Sequence, residues 1–244
     1  MTPDEDFKIE FRGDVSVELV KHSAADSDVL FAARVSTIGE QSLDELQKDP
    51  ERSKGLINYL MRDRHGSPFE HNSMTFFISA PIFVFREFMR HRVGWSYNEE
   101  SGRYRELQPV FYVPGADRKL VQEGRPGKYR FVEGTPEQHK LVSDSMEESY
   151  RQAYRTYQEM LAAGVAREVA RAVLPVGLFS TMYATCNARS LMHFLGLRTQ
   201  HELAKVPSFP QREIEMVGEK MEAEWARLMP LTYAAFNANG RVAP

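Results

Sequence analysis

Apolar residues recur along this chain in two rhythms, and the switches between them predict its elements. Val15 to Val20 alternates apolar and polar side chains, the period of a strand with one buried face. Ser27 to Ser36 reads as a short helix. A second helix is expected from Pro50 or Glu51 to about Arg64, with Leu56, Ile57, Leu60 and Met61 on its buried side. Asn72 to Ser79 returns to strand chemistry, rich in aromatic and β-branched types. Pro81 suits the first turn of a helix that carries Phe83, Phe88 and Met89 inward and ends in Arg90-His91-Arg92. Val113 to Pro136, dense in Gly, Pro and charge, reads as surface loop. Beyond it Val142, Met146, Tyr150, Ala153, Tyr157 and Met160 recur at helical spacing, and Gly164 ends that helix. Ala166 to Val173 adds a turn or two before Pro175. Asn187 can cap a helix reaching about Leu197, and a last helix after Pro210 sets Ile214, Val217, Met221, Trp225 and Leu228 on one stripe. The expected fold is α+β, one domain over residues 1–244, helix-rich with a small mixed or antiparallel sheet. The two helical seams are compatible with an oligomer.

Composition narrows the classes. A hydrophobic share of 42% in 244 residues supports a full core, and a net charge of -3 gives no global pull toward nucleic acid or anionic membrane. Anion binding would then rest on local arginine clusters. The chain has 1 cysteine, Cys186, which leaves no intramolecular disulfide and no cysteine-based zinc site. Met1 to Glu10 is acidic with no apolar core, and Met74 to Phe85 is too short and interrupted to span a bilayer. A cytoplasmic protein is expected, with no membrane and no nucleic-acid partner.

Four stretches could carry chemistry. Arg90 to Arg103 sets arginines beside Glu99, Glu100, Ser101 and Gly102; Arg90 and Arg103 could grip a phosphate in bidentate fashion, with Ser101 and the Gly102 amide as neutral donors. His65-Gly66-Ser67-Pro68-Phe69-Glu70-His71 invites a metal reading, but the two histidines are poorly spaced for one, and a ligand-touching or purely structural turn remains open. Arg167 and Arg171 share a helix face, with Arg171 the better candidate because it abuts an apolar run. Asn187 to Arg198 places Leu191, Phe194 and Leu195 on a buried stripe, Arg189 and His193 on a second face, and Arg198 near the helix end. His193 alone could be an ordinary surface histidine, and Arg198 an ordinary dipole-complementing arginine. No dinucleotide-binding glycine motif, P-loop or nucleophile elbow occurs. Cys186 could be activated at a helix start, although a lone cysteine there is more often a small core residue. A nucleic-acid module stacking bases on Trp95, Tyr97 and Tyr104 is opposed by the net charge.

These residues resemble the flavin-dependent thymidylate synthases. Arg90-His91-Arg92, eight residues, then Ser101 is similar to that family's basic motif. The likeness continues in the family's order through Ala33-Arg34-Val35-Ser36, the 65–71 stretch, Pro81-Ile82-Phe83-Val84, Arg167 to Pro175 and Asn187-Ala188-Arg189-Ser190-Leu191. The resemblance implies the fold of the thymidylate synthase-complementing proteins, assembled as a homotetramer. It implies reductive methylation of dUMP to dTMP, with 5,10-methylenetetrahydrofolate as carbon donor and FAD reduced by NADPH. By the same likeness Ser67, Arg90, His91, Arg92, Glu99, Asn187, Arg189 and His193 would bind FAD. Glu87, Arg90, Glu99, Glu100, Ser101, Gly102, Arg103, Arg171 and Arg198 would bind dUMP. Arg198 would favour ionisation of the pyrimidine at N3, His65 would lie on the folate side, no metal would be held, and Cys186 would not be a nucleophile. Glu87 departs from the glutamine found in other members.

Overall fold

The computed structural model describes residues 8–38, 50–125 and 127–244. The acidic start Met1 to Glu10 therefore lies largely outside the described residues, as does Pro126. Helices and small sheets alternate in an α+β arrangement whose chain divides into two compact units. Each unit is drawn from three separated stretches of sequence, so neither is a contiguous domain.

One unit comprises the described residues up to Asp14, then Ser79–Arg86 and Glu99–Thr181. Strand β1 (Glu10–Arg12) pairs in parallel with β5 (Val110–Tyr112). The segment read as featureless loop instead folds back on itself as an antiparallel hairpin, β6 (Val121–Arg125) and β7 (Lys128–Val132). Its Gly124 and Gly127 have positive φ, the turn chemistry that a composition-based reading takes for loop. Helix α4 (Pro136–Ala162) starts at a capping box: Gln138 N donates to Thr135 Oγ1 at 3.2 Å while Thr135 N donates to Gln138 Oε1 at 2.8 Å. It ends as expected at Gly164, with φ at 82°. Tyr150, Tyr154 and Tyr157 of α4 pack with Leu107, Phe111, Ala170 and Leu178 in this unit's core. The short helix α5 (Arg167–Ala170) and a 3-10 turn (Arg171–Val173) follow.

The other unit comprises Val15–Ile78, Glu87–Asn98 and Met182–Pro244. Most of a four-stranded sheet belongs to it, in the order β2 (Ser16–Ser23), β3 (Ser73–Pro81), β8 (Phe179–Cys186), β4 (Trp95–Glu99). Neither β4 nor β8 is predicted from the sequence. Met74, Phe76 and Ile78 of β3 point to one buried face, the alternation a pleated strand requires. Helices α1 (Asp26–Ile38), α2 (Pro50–Arg62), α6 (Ala188–Arg198), α7 (Arg212–Leu228) and α8 (Pro230–Ala238) pack around it. Ile214, Val217, Met221 and Trp225 form the expected stripe of α7, all fully buried. The last helical run breaks at Met229, because Pro230 cannot continue the hydrogen-bond ladder. Pro81 closes β3 rather than opening a helix, and helix α3 spans Ile82–Phe88. Arg90, His91 and Arg92 therefore lie past that helix, in a turn. Among the described residues no helix is long and apolar enough to cross a membrane.

Candidate functional site

The residues singled out in the sequence fall into two clusters, one per unit. In the second unit, Glu87 and Phe88 at the end of α3, the turn after them and α6 supply most of them. Helix α6 is anchored at its start: Asn187 Oδ1 accepts from Ser190 N at 2.8 Å, and Asn72 Oδ1 accepts from Ala188 N at 2.8 Å. Ser190 Oγ donates to Val93 O at 2.9 Å, which docks the turn after Arg92 onto the helix start. That docking needs Gly94, whose φ is 69°. The Tyr97 hydroxyl donates to the carbonyls of His91 and Phe88, at 2.8 and 3.0 Å, and so braces the same turn. Phe88, Trp95 and Phe194 stack around this turn, and His91 meets Phe194 edge-on. The cations thus sit on a rigid aromatic base.

Arg90 and Arg92 themselves are exposed, and their guanidinium groups have no partner among the described residues. Arg198, the last residue of α6, does not project to solvent as a dipole-complementing arginine would. Its Nη1 donates to the Glu87 carboxylate, its Nη2 to the Glu87 carbonyl at 3.4 Å, and its Nε to His91 Nε2 at 3.1 Å. The last contact requires a neutral imidazole protonated at Nδ1. Burial first, then Arg198 and His193, push the His91 pKa down to about 4, so it is neutral at pH 7. The unfolded chain takes up this proton from about pH 6.5 downward and the folded one does not, so acid between 6.5 and 4 costs stability. Burial pushes the Glu87 carboxyl upward against the pull of Arg198.

Arg189 faces a different set. Nη1 pairs with Glu70 Oε1 at 2.5 Å, and Nε donates to the Pro244 carbonyl at 2.6 Å. Gly66 lies so close that a Cβ there would sit 2.5 Å from Arg189 Cζ. Glu70, considered above for a metal, is thus an arginine partner. His65 stacks on Tyr59 with ring centroids 5.6 Å apart; Ser67 and His193 are exposed. Burial, Arg189 and Arg64 lower the His193 pKa.

The first unit holds Glu99 to Arg103 and Arg171. Glu100 N donates to Thr181 O at 2.8 Å, and its carboxylate pairs with Arg105 at 3.1 Å. Glu99 is half-buried, and burial raises its pKa despite a hydrogen bond from Ser180. Gly102 is buried, with Arg171 Cδ only 3.2 Å from where a Cβ would stand. Arg103 pairs with Glu168 at 3.0 Å, both about half exposed. Such an exposed pair is worth at most about 1 kcal/mol, so it holds the Arg103 side chain only weakly. Sequence reading missed Arg105, Asn72 and Pro244, none of which carries a local signal, and it placed Glu168 beside Arg167 and Arg171 without its partner Arg103.

A statistical model of the family described as thymidylate synthase complementing protein matches residues 18–231. The chain is 88% identical over 242 residues to a flavin-dependent thymidylate synthase of Streptomyces coelicolor, covering 99% of this chain and 98% of the relative. The chain belongs to the flavin-dependent thymidylate synthase family. A relative of the same description from Tropheryma whipplei is 59% identical over 236 residues, covering 96% of this chain and 97% of its own. Among solved structures, the UMP/dUMP methylase PolB from Streptomyces cacaoi bound with 5-Br dUMP superposes with a TM-score of 0.91. It is 58% identical, covering 97% of this chain and 100% of that one. The same enzyme bound with 5-Br UMP gives 0.89 and 57%, covering 97% of this chain and 99% of that one.

Proposed function

We propose that this chain methylates dUMP to dTMP, with 5,10-methylenetetrahydrofolate as carbon donor and NADPH as reductant acting through bound FAD, in a homotetramer. What carries the reading is the half-buried Arg198 guanidinium, held at three points by Glu87 and His91. A fixed cation of this kind stabilises a pyrimidine that has lost its N3 proton, and it does so without reorganising at the moment of reaction. Arg103 and Arg171, with Ser101 and the buried Gly102, form a donor set suited to a phosphate; Glu100 orders the same loop.

The exposed guanidiniums of Arg90 and Arg92, without a partner among the described residues, fit the pyrophosphate of a flavin dinucleotide together with Arg189 on α6. Ser67, His91, Glu99, Asn187 and His193 would complete that contact, with Arg90 reaching both ligands and His65 on the folate side. The flavin would supply the hydride chemistry, while the protein binds, orients and polarises. Cys186 is buried, and burial drives its thiol well above the ordinary range, so it stays protonated. Cys186→Ala is therefore expected to keep most of its dTMP formation, and complete loss in a folded variant would argue for an enzyme nucleophile.

The purified protein is expected to be yellow with FAD and to be bleached by NADPH without oxygen. A colourless protein that takes up no flavin would overturn the proposal. Because the methylase of known structure is described with both nucleotides, product formation should be compared for dUMP and UMP. A preference for UMP would redirect the substrate assignment.

A further inference from the structure

The Arg198 guanidinium is held by a chain of groups that all belong to one unit. Glu87 sits in the last turn of α3, His91 in the turn that follows, and Arg198 at the end of α6. Side-chain exposure is 16% for Arg198 and 23% for Glu87, so the pair is well shielded from solvent. Of the five N–H donors of a guanidinium, three are committed: Nε to His91, Nη1 to the Glu87 carboxylate and Nη2 to the Glu87 carbonyl. The two that remain, one on each Nη, are held in fixed directions. Arg198 cannot swing to another rotamer without leaving a shielded carboxylate unpaired, which is costly.

The same carboxylate changes what the guanidinium does electrostatically. Beside a bare arginine, a ligand that ionises gains the full attraction of a cation. Beside an arginine already paired with a carboxylate, it gains only the difference between that attraction and the repulsion from the carboxylate. A glutamine at the same place could still accept the Nη1 hydrogen bond but would not offset the charge. Other charged groups are also present. Glu213 of α7 acts on Glu87 as a second carboxylate, and His193 acts on His91. Burial, more than either neighbour, weakens the charged form of Glu87.

We propose that Glu87 is a positioning residue for Arg198: with His91 it fixes the guanidinium, and its charge sets the pH at which a pyrimidine bound against Arg198 loses its N3 proton to solvent. This rests on the assignment of Arg198 to the pyrimidine side made above. Two functions are thereby separated in one side chain, the reach of the carboxylate and its charge. Glu87→Gln removes the charge and keeps an acceptor at the same reach. Glu87→Asp keeps the charge and shortens the reach.

The probe is 5-bromo-dUMP, whose halogen withdraws electrons and brings N3 ionisation into a workable pH range. The neutral and anionic rings differ in ultraviolet absorption. The bound ligand would be titrated by difference spectra on the FAD-loaded protein, for the parent, Glu87→Gln, Glu87→Asp and Arg198→Gln, with affinity measured alongside. In the parent the midpoint should fall below that of free ligand. Glu87→Gln should lower it further by about one pH unit, a tenfold gain in acidity. Glu87→Asp should hold the parent midpoint but bind the ligand several-fold more weakly. A Glu87→Gln midpoint equal to or above the parent's overturns the charge-setting role, and parent-like affinity in Glu87→Asp overturns the positioning role. If Glu87→Gln does not fold, Glu87→Asp still decides the second point, and a shifted midpoint in it would contradict the first. Arg198→Gln tests whether Arg198 faces the pyrimidine at all. If its midpoint stays at the parent value, the pyrimidine-side assignment itself is wrong. If Arg198→Gln returns the midpoint to that of free ligand while Glu87→Gln leaves it unmoved, only the role of Glu87 fails.

Discussion

Arg198→Ala is expected to lower turnover by about 10²–10³-fold, the cost of removing one preorganised donor aimed at developing charge. The substitution deletes the guanidinium that joins α3 to α6 through Glu87 and His91. It also leaves the Glu87 carboxylate without its ion pair, so some stability will be lost as well. Two measurements separate these effects. Melting gives the structural part, and the split between kcat and KM at saturating flavin gives the catalytic part. Arg167→Ala is the reference. Arg167 opens a four-residue helix and is exposed, and removing it should leave kcat close to that of the parent. Equal losses in the two variants would mean that the pyrimidine-side cation has been assigned to the wrong arginine.

Gly94→Ala should be the most damaging single methyl group near the cations. With φ at 69°, any side chain there adopts a left-handed backbone at a cost of about 1–2 kcal/mol. The added Cβ would stand 2.1 Å from Ser190 Oγ, which must therefore move and give up its bond to the Val93 carbonyl. That bond is worth about 1 kcal/mol, giving a total near 2–3 kcal/mol. For a chain of this size the melting temperature should drop by about 5–10 °C. Flavin should also be retained more poorly, because the turn carrying Arg92 no longer docks on α6. Adding Ser190→Ala removes the colliding oxygen, so the double variant should be less destabilised than the sum of the two singles. Strict additivity would show that the collision is not the cause.

How far the sequence led can be judged from particular elements. Long periodic segments were legible: α4 and α7 run where their stripes place them, and Asn187 caps α6. Strand β8 was not, because its apolar and aromatic run fits a buried strand and a core helix equally well. The β6–β7 hairpin was hidden by the glycines that build it. At the candidate site the arginines and histidines were visible as types in order. Their partners were not, since Glu87 meets Arg198 across 111 residues and Glu70 meets Arg189 across 119. Only folding brings such pairs together, and no local pattern encodes them. Arg198 shows the consequence. A helix-terminal arginine looks like a solvated dipole partner in sequence, and in the fold it is a fixed cation.

The most direct test of the central claim is an anaerobic single turnover. The FAD-loaded protein is reduced with NADPH, freed of excess reductant and mixed with dUMP and 5,10-methylenetetrahydrofolate, while the visible flavin band and the dTMP formed are followed together. The band should return, and dTMP should appear in equal amount to the flavin reoxidised. Recovery of the band with no dTMP, or dTMP formed equally well by protein stripped of flavin, would contradict that claim.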